Sequence, residues 1–522
     1  MIPLFKTDQI READNFAIEK LKIPSIVLME NAAINIVDAI FRNFPELYDQ
    51  AQFGIVCGKG NNGGDGFAVA RHLSNEGFPV VVLSIAKEDE LSGDALTNYR
   101  IIKNLSKENN FLEFKNYKDK KSLSALNDCD VFIDAILGTG AKGELKEPYN
   151  SIVNYLNDLP GYKIAIDAPT GINLEMSTGE SIFNTDLTVT LAGFKAGLFY
   201  GKGYSKAGKI VRGSIGMDEE YFETLPVDTY LIEPEDAFLG LPIKKLDSYK
   251  YSAGKVLVIA GSGALPGAAF FTTNSSMEVG AGSAILAFPK SIKELAHQNL
   301  DSAILLPYES EEEILTEKNI KELEERINWA DVIAIGPGLG RDERTQKAVQ
   351  QIIKNNKDKK FVIDADAIFA LRNNFQKLNL SNSIFTPHHK EFADLIGIEQ
   401  IELENNLLAV GKEFARKNNT YLVLKNAPTI IFNPRGEIFI NSSGNQGMAK
   451  FGMGDVLTGV LSGFIAQSKN VEEAVISAVY LHSLSADLLA KDVTMFGITA
   501  TKLMENMPNA IKFIHETFIP EA

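Results

Sequence analysis

The sequence predicts an α/β protein of two domains, each a parallel sheet covered by helices, and three observations lead there. Short apolar runs alternate with polar helical stretches, the alternation breaks once near mid-chain, and glycine-rich or polar turns follow many of the runs. A chain of 522 residues exceeds one ordinary domain, and 45% hydrophobic with 23% charged residues is the balance of a folded soluble protein.

In chain order, Ser25 is expected to cap a helix in which Leu28, Met29, Ala32, Ala33, Ile36 and Ile40 recur every three or four residues. Strand-like runs follow at 53–57, 80–85, 131–137, 164–167 and 187–191. Around 226–251 no period is sustained and prolines such as Pro234 and Pro242 intervene, which places a linker at 226–248 between domains 1–225 and 249–522. Runs resume at 255–260, 284–288, 332–335, 361–363 and 421–424. The stretches 429–432 and 437–440 flank Asn433-Pro434-Arg435-Gly436 and read as a hairpin on the sheet edge. Closing helices begin near Gly454 and Glu472.

Lys+Arg 52 against Asp+Glu 68 leaves a net charge of -16, which disfavours nucleic acid and anionic membranes as partners. Two cysteines, Cys57 and Cys129, supply neither a disulfide framework nor a zinc cluster and read as reduced, buried thiols. No signal-like start and no membrane-length apolar run occurs, so a cytoplasmic location is expected.

After the run ending at Cys57 comes Gly58-Lys59-Gly60-Asn61-Asn62-Gly63-Gly64-Asp65-Gly66. Amides of closely spaced glycines at a helix start can cradle an anion, although the spacing is neither the dinucleotide fingerprint nor the Walker loop, and a tight turn would use the same residues. The stretches 134–140 and 167–171 also lie at strand ends, where open α/β sheets bind ligands, so three loops converge on a pocket. Asp134 and Asp167 follow apolar strands and need a cation, a donor or water. With Asn62 and Thr170 they offer oxygen ligands only, which suits a hard monovalent or divalent cation rather than zinc.

These three loops resemble the signature loops of the NAD(P)H-hydrate epimerase family, and the resemblance spans about residues 1–220. It implies a Rossmann-like domain with potassium at Asn62, Asp134 and Thr170. It also implies a hydrated nucleotide held against Asn61, Asn62, Gly63, Gly64 and Asp65, against Gly138, Thr139, Gly140, Ala141, Lys142, Gly143 and Glu144, and against Asp167. Asp167 becomes the acid/base residue. Lys195 is an auxiliary, although a strand-end lysine is more often solvated.

In the second half, Gly452-Met453-Gly454-Asp455 opens a helix of small residues. Amides there can meet a transferred phosphate and Asp455 can accept a proton from an attacking hydroxyl, while the bland alternative is a first-turn charge favouring the dipole. Other polar strand ends are Gly261-Ser262-Gly263, Gly336-Pro337-Gly338, Asp364-Ala365-Asp366 and His388-His389. The ensemble, from about Tyr249 onward, is similar to the ADP- or ATP-dependent NAD(P)H-hydrate dehydratase family and so to ribokinase-like kinases.

That resemblance puts substrate against Ala268, Gly338, His388 and Asp455, and ADP or ATP, with Mg2+, against Lys425, Asn426, Ala427, Pro428, Thr429 and Gly454. Asp455 is then the catalytic base. Lys450, Phe451 and Met453 depart from the family's small residues at the glycine turn and bear on nucleotide preference. The implied activity is epimerisation of R and S NAD(P)HX, then dehydration of the S form at the expense of ADP or ATP through a phosphorylated intermediate. A homo-oligomer is expected. The alternatives are a ribokinase-type kinase of a small molecule, and a first half that only binds a nucleotide or partner.

Overall fold

The computed structural model describes residues 1–519 except 140–142, 245, 311 and 373, and of Glu219 only the backbone. The described residues fall into two compact units, residues 3–227 and residues 1–2 with 228–522.

The sheet of the first unit runs Leu112–Asn116, Val80–Ser84, Phe53–Cys57, Val131–Ala135, Tyr162–Ile166, Leu187–Leu191, Lys209–Gly213, and every neighbouring pair is parallel. The first strand of this series in sequence, Phe53–Cys57, lies beside the fourth, Val131–Ala135. Strand order therefore reverses between them, which is the Rossmann arrangement and opens a crevice beyond their carboxyl ends. Both strands are buried throughout, as expected of a parallel sheet covered on both faces.

The second unit carries an eleven-stranded sheet, edged on one side by Ile2–Pro3 and on the other by Ile304–Tyr308. Its central strands Lys255–Ile259, Val332–Ile335, Lys360–Ile363, Ser383–Phe385 and Tyr421–Leu424 are parallel, and their carboxyl ends present the glycine-rich and acidic turns of this half. Helices Met453–Gln467 and Val471–Val493 close the unit over a core that includes Val456, Val460, Phe464 and Val479.

Several expectations change. Ser25 does not cap its helix: Pro24 holds the N-cap position and Ser25 is the first helical residue of Ser25–Asn43, with no capping side chain. The stretch 226–248 is not a free linker, since it contains strand Thr229–Leu231 and helix Pro234–Leu239, and the units divide at Val227. Strand Thr229–Leu231 pairs parallel with Ile438–Asn441, so the hairpin of Thr429–Phe432 and Ile438–Asn441, antiparallel as expected, lies inside the sheet rather than on its edge. A strand as short as Thr229–Leu231 shows no period, and its partner Ile438–Asn441 is far along the chain. Strands Leu112–Asn116, Lys209–Gly213 and Ile304–Tyr308, also absent from the sequence reading, are edge strands with exposed positions and hence weak apolar signals.

Candidate active sites

At the crevice of the first unit the turn after Cys57 is tighter than a loop: helix Asn61–Asn75 begins at Asn61, with Gly60 in the extended N-cap conformation. A Cβ on Gly63 would overlap the carbonyl oxygen of Gly58, and one on Gly58 would overlap that of Ile136, so glycine is required for the neighbouring strand ends to approach. The turn borders a cavity of about 460 Å³, lined by Asn61, Asn62, Asp65, Gly138, Thr139 and Asp167 among others. Gly63 and Gly64 lie behind its wall, the latter under the Met29 side chain. Gly143 and Glu144 do not line it, and Gly140, Ala141 and Lys142 lie outside the described residues.

Asp134 is fully buried. Its carboxylate accepts from the Thr170 hydroxyl (2.7 Å), the Thr170 amide (2.7 Å) and the Ile136 amide (3.0 Å). Burial pushes its pKa up to about 6 against those hydrogen bonds. Asn62 is buried too, and neither its Oδ1 nor its Nδ2 has a partner. An orphaned buried amide costs roughly 1–3 kcal/mol, so a group that engages it is favoured. The amide oxygen of Asn62, the carboxylate of Asp134 and the hydroxyl of Thr170 fit a hard cation such as potassium by donor chemistry.

Asp167 sits at a positive φ of 68°, a strained conformation for a residue with a side chain. Its Oδ1 accepts from Lys195 Nζ at 2.6 Å and its Oδ2 from the Thr139 amide at 3.4 Å. Lys195, expected as an auxiliary with a solvated lysine as the alternative, is buried rather than solvated. It is 1% exposed, and its ammonium also donates to the Thr190 hydroxyl (2.9 Å) and the Leu191 carbonyl (3.0 Å). Lys195 and the Thr139 amide thus fix the orientation of the Asp167 side chain. Asp14, unnoticed in the sequence, also lines this cavity. Its signal was available: it falls four residues from both Ile10 and Ile18 on an amphipathic helix.

In the second unit, Asp455 stands in the first turn of Met453–Gln467, after Gly452 at φ 89°. Burial, then the charges of Asp364 and Asp366, raise its pKa to about 7, with Lys425 pulling the other way. Asp364, at the end of strand Lys360–Ile363, is 1% exposed and accepts from Lys425 Nζ and from the Thr458 hydroxyl, each at 2.7 Å. Burial lowers the Lys425 pKa, but Asp364 and Glu391 outweigh it and hold the ammonium charged. A Cβ on Gly454 would stand 3.2 Å from that ammonium, so Lys425 lies against the start of the helix beside Asp455. Asp364 and Thr458 tie these parts together. Sequence reading noted Asp364 only as a polar strand end, although it follows an apolar strand just as Asp134 does.

Gly338 and Ala268 meet: a Cβ on Gly338 would be 3.2 Å from that of Ala268. The backbone of His388 bridges that of Lys425. The His388 ring, half-exposed, caps helix His389–Ile396, its Nδ1 accepting from the Glu391 amide (3.2 Å) while its Nε2 stands 3.5 Å from the Glu391 carboxylate. Asn426 contacts His389, Ala427–Pro428 is a cis peptide, and Thr429 opens the next strand. Of the residues that depart from the family pattern, Lys450 donates to the Phe496 carbonyl (2.8 Å) and Met453 is buried. Lys450 is exposed as well, and the Phe451 side chain projects fully into solvent.

Each unit thus presents a glycine-led strand-to-helix turn with a buried carboxylate at the carboxyl edge of a parallel sheet, and the chain is of the class of two-site α/β enzymes. The pattern of the family described as NAD(P)H-hydrate dehydratase matches residues 256–509, and that of the YjeF-related protein N-terminus matches residues 25–197. The bifunctional NAD(P)H-hydrate repair enzyme of Moorella thermoacetica is 32% identical over 97% of this chain and 96% of its own. That of Escherichia coli K12 is 29% identical over 97% and 93%. A crystal structure of a ribokinase-like superfamily protein from Enterococcus faecalis V583 is 30% identical, covering 55% of this chain and 96% of its own, with a TM-score of 0.49. The chain belongs to the family of bifunctional NAD(P)H-hydrate repair enzymes.

Proposed function

We propose that the first unit interconverts the R and S epimers of NAD(P)HX at the cavity of Asp167, and that the second returns the S epimer to NAD(P)H at Asp455, consuming ADP or ATP. The observation that carries the second assignment is the placement of a raised-pKa carboxylate, Asp455, beside the Lys425 ammonium at a glycine-led helix start. The hydrate bears a hydroxyl at C6 of the nicotinamide ring, a poor leaving group at neutral pH. Asp455 takes the hydroxyl proton as its oxygen attacks the terminal phosphate of the nucleotide. Amides at the helix start and Lys425 stabilise the charge on the transferred group, and Asp364 keeps Lys425 in place. The ring nitrogen lone pair then expels phosphate from C6, and loss of a ring proton restores the dihydropyridine.

In the first unit Asp167 handles proton transfer at the carbon bearing the hydroxyl. The strain at φ 68° and the Lys195 pair hold its carboxylate toward the cavity. Asn62, Asp134 and Thr170 would hold potassium, whose positive charge would fix the loops of Asp134 and Thr170 against the helix start. Mg2+ would accompany the nucleotide, near the oxygen donors Asp364, Asp366 and Asp455. The substrate-contact roles of Gly138, Thr139, Ala268, Gly338 and His388, and the nucleotide contacts of Lys425 to Thr429 and of Gly454, belong to this proposal.

The proposal extends to a cytoplasmic setting and a homo-oligomer. Cys57 and Cys129 are both free and buried, which suits a reducing compartment, and no described helix is long and apolar enough to cross a membrane. The deciding experiment mixes the purified protein with both NADHX epimers and follows NADH absorbance with ADP, ATP or neither. Full recovery of both epimers with a nucleotide is expected. Recovery of neither, or a stable phosphorylated product without NADH, overturns the reading in favour of a kinase. An Asp167→Ala protein is expected to stall at half recovery, with the R epimer left.

A further inference from the structure

Asp14 lies on helix Thr7–Glu19, and Ile10, Asp14 and Ile18, each four residues from the next, all line the cavity that contains Asp167. Ala13 and Ala17 on the same helix are fully buried, so the helix is anchored and Asp14 is a fixed part of the wall. A carboxylate set between two isoleucines and facing a cavity costs folding free energy, which favours a role in that cavity.

We propose that Asp14 is the second acid/base residue of the epimerase centre, acting on the hydroxyl-bearing carbon from a different wall of the cavity than Asp167. The inference rests on the epimerase reading of this unit. Epimerisation of the hydrate exchanges the hydroxyl between the two faces of C6, and one carboxylate cannot serve both. In one direction the Asp14 carboxylic acid protonates the C6 hydroxyl. The C6–O bond breaks, its electron pair leaves with water, and the ring nitrogen lone pair forms the C6=N bond. Water then adds to the opposite face, the π pair returns to nitrogen, and the released proton goes to the Asp167 carboxylate. Water lost equals water gained, and one proton passes from Asp14 to Asp167. The reverse direction returns it.

The surroundings suit that exchange. Facing Asp14 are Asp167 and Lys195 from the strand-end loops, Asp65 from helix Asn61–Asn75 and Asp94 from helix Gly93–Leu105, with Arg11 on its own helix and Lys59 on the turn. Burial first, then the Asp167 charge, raise Asp14 to about 6, with Lys195 opposing. A carboxyl in that range can both give and take a proton near neutrality. Asp167, paired at 2.6 Å with Lys195, is the natural acceptor at the outset.

The test uses the full-length protein and isolated R-NADHX, first without nucleotide to follow epimerisation, and S-NADHX with ADP to follow dehydration. Asp14→Asn is expected to slow epimerisation at least about 100-fold while S-NADHX dehydration, carried by the other unit, stays at the wild-type rate. Asp14→Glu is expected to keep a measurable part of the epimerisation rate and to shift the pH at which it falls away. Epimerisation by Asp14→Asn within about threefold of wild type, or an Asp14→Glu pH profile superimposable on wild type, overturns the inference while leaving the epimerase reading intact. A wild-type protein that leaves R-NADHX unchanged overturns both.

Discussion

Replacing Asp455 by Asn should abolish NADH formation and at the same time stabilise the second unit, by an amount that grows with pH. In the folded protein burial and Asp364 raise Asp455 from the ordinary 3.8 to about 7. A raised carboxyl means that the native state binds its proton more tightly than the unfolded chain does. The stability this confers is complete below the unfolded value of 3.8 and is lost as pH rises through about 7. At about 1.4 kcal/mol per pH unit across that interval, ionising Asp455 near pH 8 costs the wild-type unit on the order of 4 kcal/mol, and near pH 5 only about 2. Asn keeps the shape and never ionises, so its advantage over wild type should widen by about 2 kcal/mol between those conditions. Trp329, the sole tryptophan, lies in the second unit on helix Ile320–Trp329, and its fluorescence in urea follows that unit alone. A stability gap that is constant with pH, or of opposite sign, would refute the electrostatic argument. Near-normal NADH formation by the variant would refute the catalytic one.

Three further outcomes follow from the same geometry. Asp364→Asn strands the Lys425 ammonium and weakens the Thr458 contact, so Trp329 fluorescence in urea should show a loss of about 3–5 kcal/mol, and the basic limb of the dehydration pH profile should move to lower pH. Lys195→Met leaves Asp167 buried without its cation, and should abolish epimerisation of R-NADHX and raise hydrogen exchange throughout residues 3–227 while S-NADHX dehydration persists. Gly63→Ala drives a methyl into the Gly58 carbonyl and should cost the first unit about 3 kcal/mol, whereas Gly60→Ala meets nothing within 4 Å and should be nearly neutral in the same urea titration followed by circular dichroism.

The legible part of the molecule is the part written in local pattern. Apolar runs such as 53–57 and 131–135 announce buried parallel strands because both faces are covered, and the glycines after them mark where backbones come too close for a Cβ. Asp134 and Asp167 could be singled out because a carboxylate next to an apolar run needs a reason, and Asp455 because it stands in a glycine-led helix start. Edge strands such as Lys209–Gly213 stayed hidden because solvent tolerates polar residues there.

What local sequence could not supply is which charges meet. Lys195 is expected as an auxiliary with a solvated charge as the alternative, and only the fold seals it against Asp167, 28 residues earlier in the chain. Lys425 is expected at the nucleotide, yet nothing local pairs it with Asp364 or with the Gly454 helix start, 61 and 29 positions away in sequence. The sequence by itself determined the two parallel-sheet units and the chemical kinds of group at their strand ends, since burial periodicity and turn chemistry are short-range. The tertiary structure alone decided the ion pairs, the orphaned Asn62 amide and the place of Asp14 in the cavity wall, because electrostatics and desolvation act between groups that only folding brings together.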